Sequence, residues 1–278
     1  MTSEGSPPAP DRGDGAGART REVPLDLDTS VAHVARVYDY WLGGKDNFAA
    51  DRAAGEQAIQ AYPDIVYSVR ANRAFLARTV RYLAGEAGIR QFLDIGTGIP
   101  SANNTHQVAQ EVAPDARIVY VDNDPIVLSH ARALLTSGPG GETQYVHGDA
   151  REPGPIIESA AETLDFSRPV ALMLIGVLHL IQDSEDPWGL VAWLMAQLPA
   201  GSYLAISHPA IDIGPGQAEA QRRYNERVST PQTLRGHDLL ERRRDRVDAP
   251  LSETGFTYVY KYRLLDAFER KVEEEKPS

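Results

Sequence analysis

The chain of 278 residues contains no cysteine. That excludes a disulfide framework, a thiolate nucleophile and any Cys-ligated zinc or iron–sulfur centre. Long apolar runs are also missing. No stretch approaches the roughly 20 residues needed to span a bilayer, and the Pro/Gly/Ser-rich beginning has no apolar core of a secretory signal, so a cytoplasmic protein is expected. Positive charge is in short supply, with 28 Lys+Arg against 39 Asp+Glu and a net charge of −11. This argues against duplex nucleic acid as the main partner, because phosphate binding needs a basic surface. Arg242-Arg243-Arg244 is flanked by Glu241 and Asp245 and reads as a solvated helix face. What is present, 42% hydrophobic and 24% charged residues, suits a globular protein with one large core.

Residues 1–24 carry few large apolar side chains and are expected to lack fixed structure, since they cannot bury enough surface to offset their ordering entropy. A helical segment over 25–88 follows. Val31, Val34, Ala35, Tyr38 and Leu42 recur at helical spacing up to Gly43-Gly44, a second helix spans 46–61, and a third starts after Asp64. From 89 onward, short apolar runs at 91–95, 117–121, 144–147, 170–175 and 202–207 alternate with helical stretches. Asp124-Pro125 and Asp186-Pro187 each supply an N-cap followed by proline at the first helical position. Ser101 is expected to cap the helix after the first strand. The alternation predicts an α/β fold with a mostly parallel sheet and helices on both faces, preceded by a helical N-terminal segment.

In such a sheet the ligand lies beyond the carboxyl ends of the strands. The first strand runs into Asp94-Ile95-Gly96-Thr97-Gly98, where glycines permit a tight turn and close backbone approach to a ligand. A nicotinamide dinucleotide would place its pyrophosphate at this loop, and Asp94 would repel it. Ser101 also stands where that fingerprint has its third glycine. The α-ammonium and sulfonium of S-adenosylmethionine suit a carboxylate here. The second strand ends in Asp122-Asn123-Asp124, with Asp122 placed to accept hydrogen bonds from ribose hydroxyls and Asp124 better explained as a helix cap. The third ends in Gly148-Asp149-Ala150, a carboxylate and a following N–H that can pair with an adenine edge. The fourth runs through Gly176-Val177-Leu178-His179. Thr97, Asn123 and Gly176 complete the expected donor-binding set with Asp94, Gly96, Gly98, Asp122, Asp149 and Ala150.

These motifs in register resemble class I S-adenosylmethionine-dependent methyltransferases. More narrowly, Tyr38-Asp39-Tyr40-Trp41-Leu42-Gly43-Gly44-Lys45-Asp46-Asn47-Phe48 and Val119-Tyr120-Val121-Asp122-Asn123-Asp124-Pro125 resemble a bacterial S-adenosyl methyltransferase family whose acceptor is generally unassigned. The resemblance spans about 28–228. It implies a Rossmann-like class I fold, S-adenosylmethionine as donor with S-adenosylhomocysteine as product, and methyl transfer. The first motif suggests a lid over the donor pocket or a helix–turn–helix cap stabilised by Asp39, Lys45 and Asp46. Arg70, Asn72 and Arg73 face that pocket or solvent. The class usually closes with a sixth strand and an antiparallel seventh. Here the part after about 230 is atypical, with only 256–262 strand-like and a charged helix expected at 264–275. Pro100 replaces the third glycine of the usual loop.

Methyl transfer from a sulfonium is an in-line displacement that needs a base only if the acceptor arrives protonated. The candidates for that role are His179, Tyr38, Asp46 and His208, though His179 is equally well read as structural. The missing cysteine excludes cytosine C5 chemistry, and the Asn/Asp-Pro-Pro-aromatic motif used on exocyclic base amines is absent after the fourth strand. A small-molecule acceptor is therefore expected, with no metal and no membrane partner. A non-enzymatic S-adenosylmethionine-binding or regulatory protein is the first alternative. An NAD-dependent oxidoreductase is the second.

Overall fold

The computed structural model describes residues 28–101, 103–127, 140–211, 217–226, 228, 230–236 and 257–261. The N-terminal tail, most of the helix begun by Asp124-Pro125, the Arg242–Arg244 cluster and the expected helix at 264–275 lie outside these residues.

Three helices come first: α1 (Val34–Leu42), α2 (Ala49–Ala61) and α3 (Ile65–Gly85). The five expected strands follow as β1 (Gln91–Ile95), β2 (Arg117–Asp122), β3 (Glu142–His147), β4 (Ala171–Ile175) and β5 (Tyr203–Ser207). Between and after them lie α4 (Thr105–Val112), α5 (Pro153–Ala160), α6 (Pro187–Ala196) and α7 (Gln217–Asn225). A sixth strand, β6 (Thr257–Lys261), closes the sheet. The order is β3-β2-β1-β4-β5-β6 with every pairing parallel. The chain therefore reverses direction across the sheet between β1 and β4, the switch point where a ligand crevice opens.

Alternation along the buried strands builds two cores. Leu93, Ile95, Val119, Val121, Leu172 and Leu174 face Ile156 of α5 and Val191, Leu194 and Met195 of α6. Phe92, Ile118, Tyr120, Ala171 and Met173 point the other way, onto Phe75, Leu76, Val80 and Leu83 of α3 and Val108 of α4. Successive strand residues thus serve opposite layers, as a sheet covered on both faces requires. The division expected at residue 88 runs through this second core, because α3 is one of the layers that cover the sheet.

The other two N-terminal helices form a satellite. Val37, Trp41, Ala54, Ala58 and Val69 pack together with Tyr224 of α7. Trp41 Nε1 donates to the Gly55 carbonyl at 3.2 Å, and a Cβ on Gly55 would come within 2.7 Å of the Tyr40 ring. Only glycine lets α1 and α2 approach this closely. Beneath them is a buried ion pair. Arg36 Nε donates to both oxygens of Asp51 at 3.0 and 2.9 Å, and the same carboxylate accepts the His33 and Phe48 backbone N–H groups at 2.9 and 2.7 Å.

One expectation is corrected. Asn104, not Ser101, precedes α4 as its N-cap. The Asn104 N–H donates to Gln107 Oε1 at 2.9 Å, and the Asn104 side chain takes the Ser101 N–H at 3.1 Å. The Gln107 side chain reaches back only to the residue immediately before the helix, which is Asn104, whereas Ser101 is three residues too early. The strand at the end of the sheet runs parallel to β5, from Tyr203↔Thr257 to Ser207↔Lys261, and no antiparallel strand pairs with the sheet among the described residues.

Asp51 is fully buried with three donor groups on it, so Asp51→Asn leaves the Arg36 charge without its partner. The expected cost is about 3–5 kcal/mol, read from the midpoint of urea unfolding. A loss below about 1 kcal/mol would show that the pair is not what fastens α1 to α2.

Candidate active site

A cleft opens at the switch point, with a floor of strand-end turns and a roof of α1 and α3. After β1 the backbone takes left-handed φ values of +76° at Gly96 and +67° at Gly98. A Cβ at Gly96 would strike Val177 at 2.5 Å, while one at Gly98 would meet nothing within 4 Å. The first glycine permits packing of the β1 turn on the β4 turn, and the second leaves its space to the cleft.

Two buried carboxylates sit in this floor. Asp122 accepts the Gly98 N–H on Oδ2 at 2.7 Å and the Asp124 N–H on Oδ1 at 2.9 Å. Each oxygen keeps a lone pair for a further donor. Asp94 accepts the Thr105 hydroxyl at 2.6 Å. Burial pushes both acids up, Asp94 to about 6 despite the Thr105 hydrogen bond and the nearby Arg73 charge. A buried anion kept this reluctantly gains from any cation that enters the cleft.

The rim is polar. Asp149 accepts the Asn123 amide at 3.1 Å and the Arg151 backbone N–H at 2.9 Å. Burial opposes ionisation of Asp149, but these bonds and the Arg151 charge hold it below the usual range. Arg151 also reaches Glu185 at 2.6 Å and the Leu180 carbonyl at 2.9 Å, so it ties the β3 turn to the β4 turn. Asp124 caps the helix after β2 through the Ile126 N–H at 2.8 Å, and its other oxygen lies 2.9 Å from His33 Nδ1 at the start of α1. Burial raises the Asp124 carboxyl, yet the His33 and Ile126 contacts outweigh it and hold it low. His33 is thereby a fastening between roof and floor.

The loop after α1 is organised by Asp39. Its Oδ2 accepts the Asp46 N–H and the Asn47 amide, both at 2.9 Å. A Cβ on Gly44 would fall 1.9 Å from the same carboxylate, so the second glycine of the motif is sterically obligatory. Asp39 itself lines the cleft, together with Val34, Tyr38 and Leu42. Thus the tyrosine-to-phenylalanine motif is both a cap and a wall.

All nine residues expected to bind the donor line this one cleft: Asp94, Gly96, Thr97, Gly98, Asp122, Asn123, Asp149, Ala150 and Gly176. Tyr38, Asn72 and Arg73 line it as well. Asp46, His179, His208 and Arg70 do not. Asp46 is exposed on the loop after α1. His179 packs edge-on against His208 with ring centroids 5.9 Å apart, and His208 Nε2 meets Arg235 at 3.0 Å. Burial and the Arg235 charge push both imidazoles down, His208 to about 4. Sequence reasoning missed His33, Arg151 and Thr230 as lining residues. His33 was legible as an N-cap next to α1 and Arg151 as the residue after Asp149-Ala150, but nothing in the sequence brings Thr230 to the cleft.

An all-parallel sheet with a glycine turn, three carboxylates and a helical roof around its switch point defines an adenosine-binding α/β protein. The sequence profile of a family described as S-adenosyl methyltransferase matches residues 20–275, and the chain belongs to that family, whose methyl donor is S-adenosylmethionine. A DUF574 family protein from Streptomyces avermitilis is similar at 47% identity and TM-score 0.75, over 77% of this chain and 82% of that one. A candidate methyltransferase from Thermobifida fusca is similar at 43% identity and TM-score 0.73, over 79% and 82%. No curated protein matches the chain.

The Asp94 carboxyl has a folded-state value near 6 against an ordinary 3.8. The folded protein therefore holds an extra proton between about pH 4 and 6, and this group's contribution to stability is lost as pH rises through that window. Asp94→Asn keeps a Thr105 acceptor and removes the buried charge. It should raise stability by about 1–3 kcal/mol at pH 7 and by nearly nothing at pH 4, measured by urea unfolding. An equal effect at both pH values would contradict the assignment.

Proposed function

We propose that this S-adenosyl methyltransferase acts on a small-molecule acceptor and binds its donor along the floor of the cleft. The observation that carries this reading is the convergence of all nine expected donor residues on one crevice beneath α1 and α3. Asp122 takes the ribose hydroxyls on the lone pairs that Gly98 and Asp124 leave free. Asp149 and the Ala150 N–H take the adenine edge. The Gly96–Gly98 backbone lies along the methionyl chain, and Asp94 faces its positive groups.

The sheet order 3-2-1-4-5-6 is shared with dinucleotide-binding folds, so topology alone does not choose the ligand. Asp94 does. A carboxylate buried at the glycine turn repels a pyrophosphate and attracts a sulfonium.

S-adenosylmethionine, when bound, supplies the methyl group and its leaving group in one molecule. The protein's task is then orientation in a site closed to water. Tyr38 keeps its proton at neutral pH, since burial raises it and its hydroxyl donates to the Val69 carbonyl at 3.4 Å. His179 and His208 stand behind the wall, and Asp46 is out on the loop. We assign none of these as a base, and the acceptor reaches the cleft able to react without one of them.

Calorimetric titration with S-adenosylhomocysteine tests the donor assignment. A micromolar Kd, about −8 kcal/mol, is expected for the wild type, and Asp122→Ala should weaken it by about 10- to 100-fold through loss of charged hydrogen bonds. No binding by the wild type, or equal binding by both proteins, would overturn it.

A further inference from the structure

The donor assignment uses the floor, which leaves the roof to select the acceptor. Val34, Tyr38 and Leu42 form one stripe of α1 at four-residue spacing, and Asn72 and Leu76 of α3 lie beside it, all lining the cleft. Their one hydrogen-bonded polar pair is Tyr38–Asn72. Tyr38 Oη donates to the Val69 carbonyl and accepts Asn72 Nδ2 at 3.1 Å. Because the hydroxyl proton is committed to Val69, the Tyr38 oxygen can only accept from the amide. This fixes Nδ2 toward Tyr38 and turns Oδ1 away from it.

No donor among the described residues reaches Asn72 Oδ1. The amide also abuts the turn after β4, since a Cβ at Gly176 would lie 3.4 Å from Nδ2. The carbonyl oxygen of a partly buried amide, oriented by a second residue and standing beside a strand-end turn, is suited to receive a hydrogen from a ligand. The rest of the stripe offers that ligand only aliphatic surface.

We propose that Asn72 Oδ1 is the acceptor-orienting contact, and that the acceptor is a small molecule with an apolar body bearing a hydroxyl or N–H group. Tyr38 is the positioning residue that holds the amide. The proposal rests on the donor assignment above. A site built to bond a polar hydrogen discriminates strongly against an analogue that lacks it, because its own acceptor is then left buried and unpaired.

Phenol and toluene, titrated by NMR into the complex with S-adenosylhomocysteine, differ mainly in that hydrogen. The wild-type complex should bind phenol about fivefold tighter than toluene. Asn72→Leu should bring the two within about twofold while leaving S-adenosylhomocysteine affinity unchanged within about twofold, which also shows that the variant is folded. Tyr38→Phe releases the amide and should lose part of the preference. Equal binding of the two probes, binding of neither, or a preference that survives Asn72→Leu would overturn the proposal. If the wild type failed to bind S-adenosylhomocysteine, the donor assignment would fall and this inference with it. Normal donor binding without a phenol preference sinks the acceptor proposal alone.

Discussion

The Asp122 carboxylate accepts the Gly98 N–H on one oxygen and the Asp124 N–H on the other, so a single side chain fixes the turns after β1 and β2 at once. Everything around the cleft depends on that tie. It holds Gly98 in its left-handed conformation with open space in front of it. It also places Asp124 to start the next helix and to meet His33 of the roof. The cost is a buried charge whose ionisation is disfavoured by its surroundings, and Asp94 on the neighbouring strand β1 repeats that cost. A floor with two such acids is less stable than one with neutral side chains, and the deficit is recovered when a cationic ligand arrives.

The roof is held by different means. The buried Arg36–Asp51 pair joins α1 to the start of α2, while Trp41 and Gly55 bring the helices close enough to share a core with Tyr224. Asp39 then closes the connecting loop on itself and forbids a side chain at Gly44. The result is a cover that touches the floor at His33–Asp124 and brings Tyr38 and Asn72 to the lining of the cleft. A third element completes the wall. Arg235, almost wholly buried, donates to the carbonyls of Leu178 and Ile181 at 2.9 and 2.8 Å, and so anchors the β4 turn from behind while the same segment delivers Thr230 to the cleft.

How much of this was legible follows from how local each signal is. The five strands were readable as short runs between helical stretches, and the aspartates at the first three strand ends were readable because the parallel sheet brings those ends to a common edge. The N-terminal motif was readable as unusual, yet its chemistry was not. Asp39, Lys45 and Asp46 drew attention together as charges, whereas the work falls to Asp39 alone, which accepts a backbone N–H from Asp46 and the side-chain amide of Asn47. His179 was open to two readings, a base or a structural histidine. A histidine two residues after a strand-end turn stands near the ligand in sequence, but here the backbone turns it toward His208 and Arg235. Arg235 was invisible because its partners Asp183, Leu178 and Ile181 lie more than 50 residues away, and no periodicity marks it or Thr230. The cap of α4 was misplaced for a purely local reason, the choice between two polar residues three positions apart.

The central claim is that the donor lies along the floor with its ribose on Asp122 and its adenine on Asp149, under the roof of α1 and α3. A crystal structure of the complex with S-adenosylhomocysteine measures this directly. The account predicts both ribose hydroxyls within hydrogen-bond distance of the Asp122 carboxylate and the adenine edge against Asp149 and the Ala150 N–H. A ligand seated elsewhere, or one whose ribose makes no contact with Asp122, would contradict it.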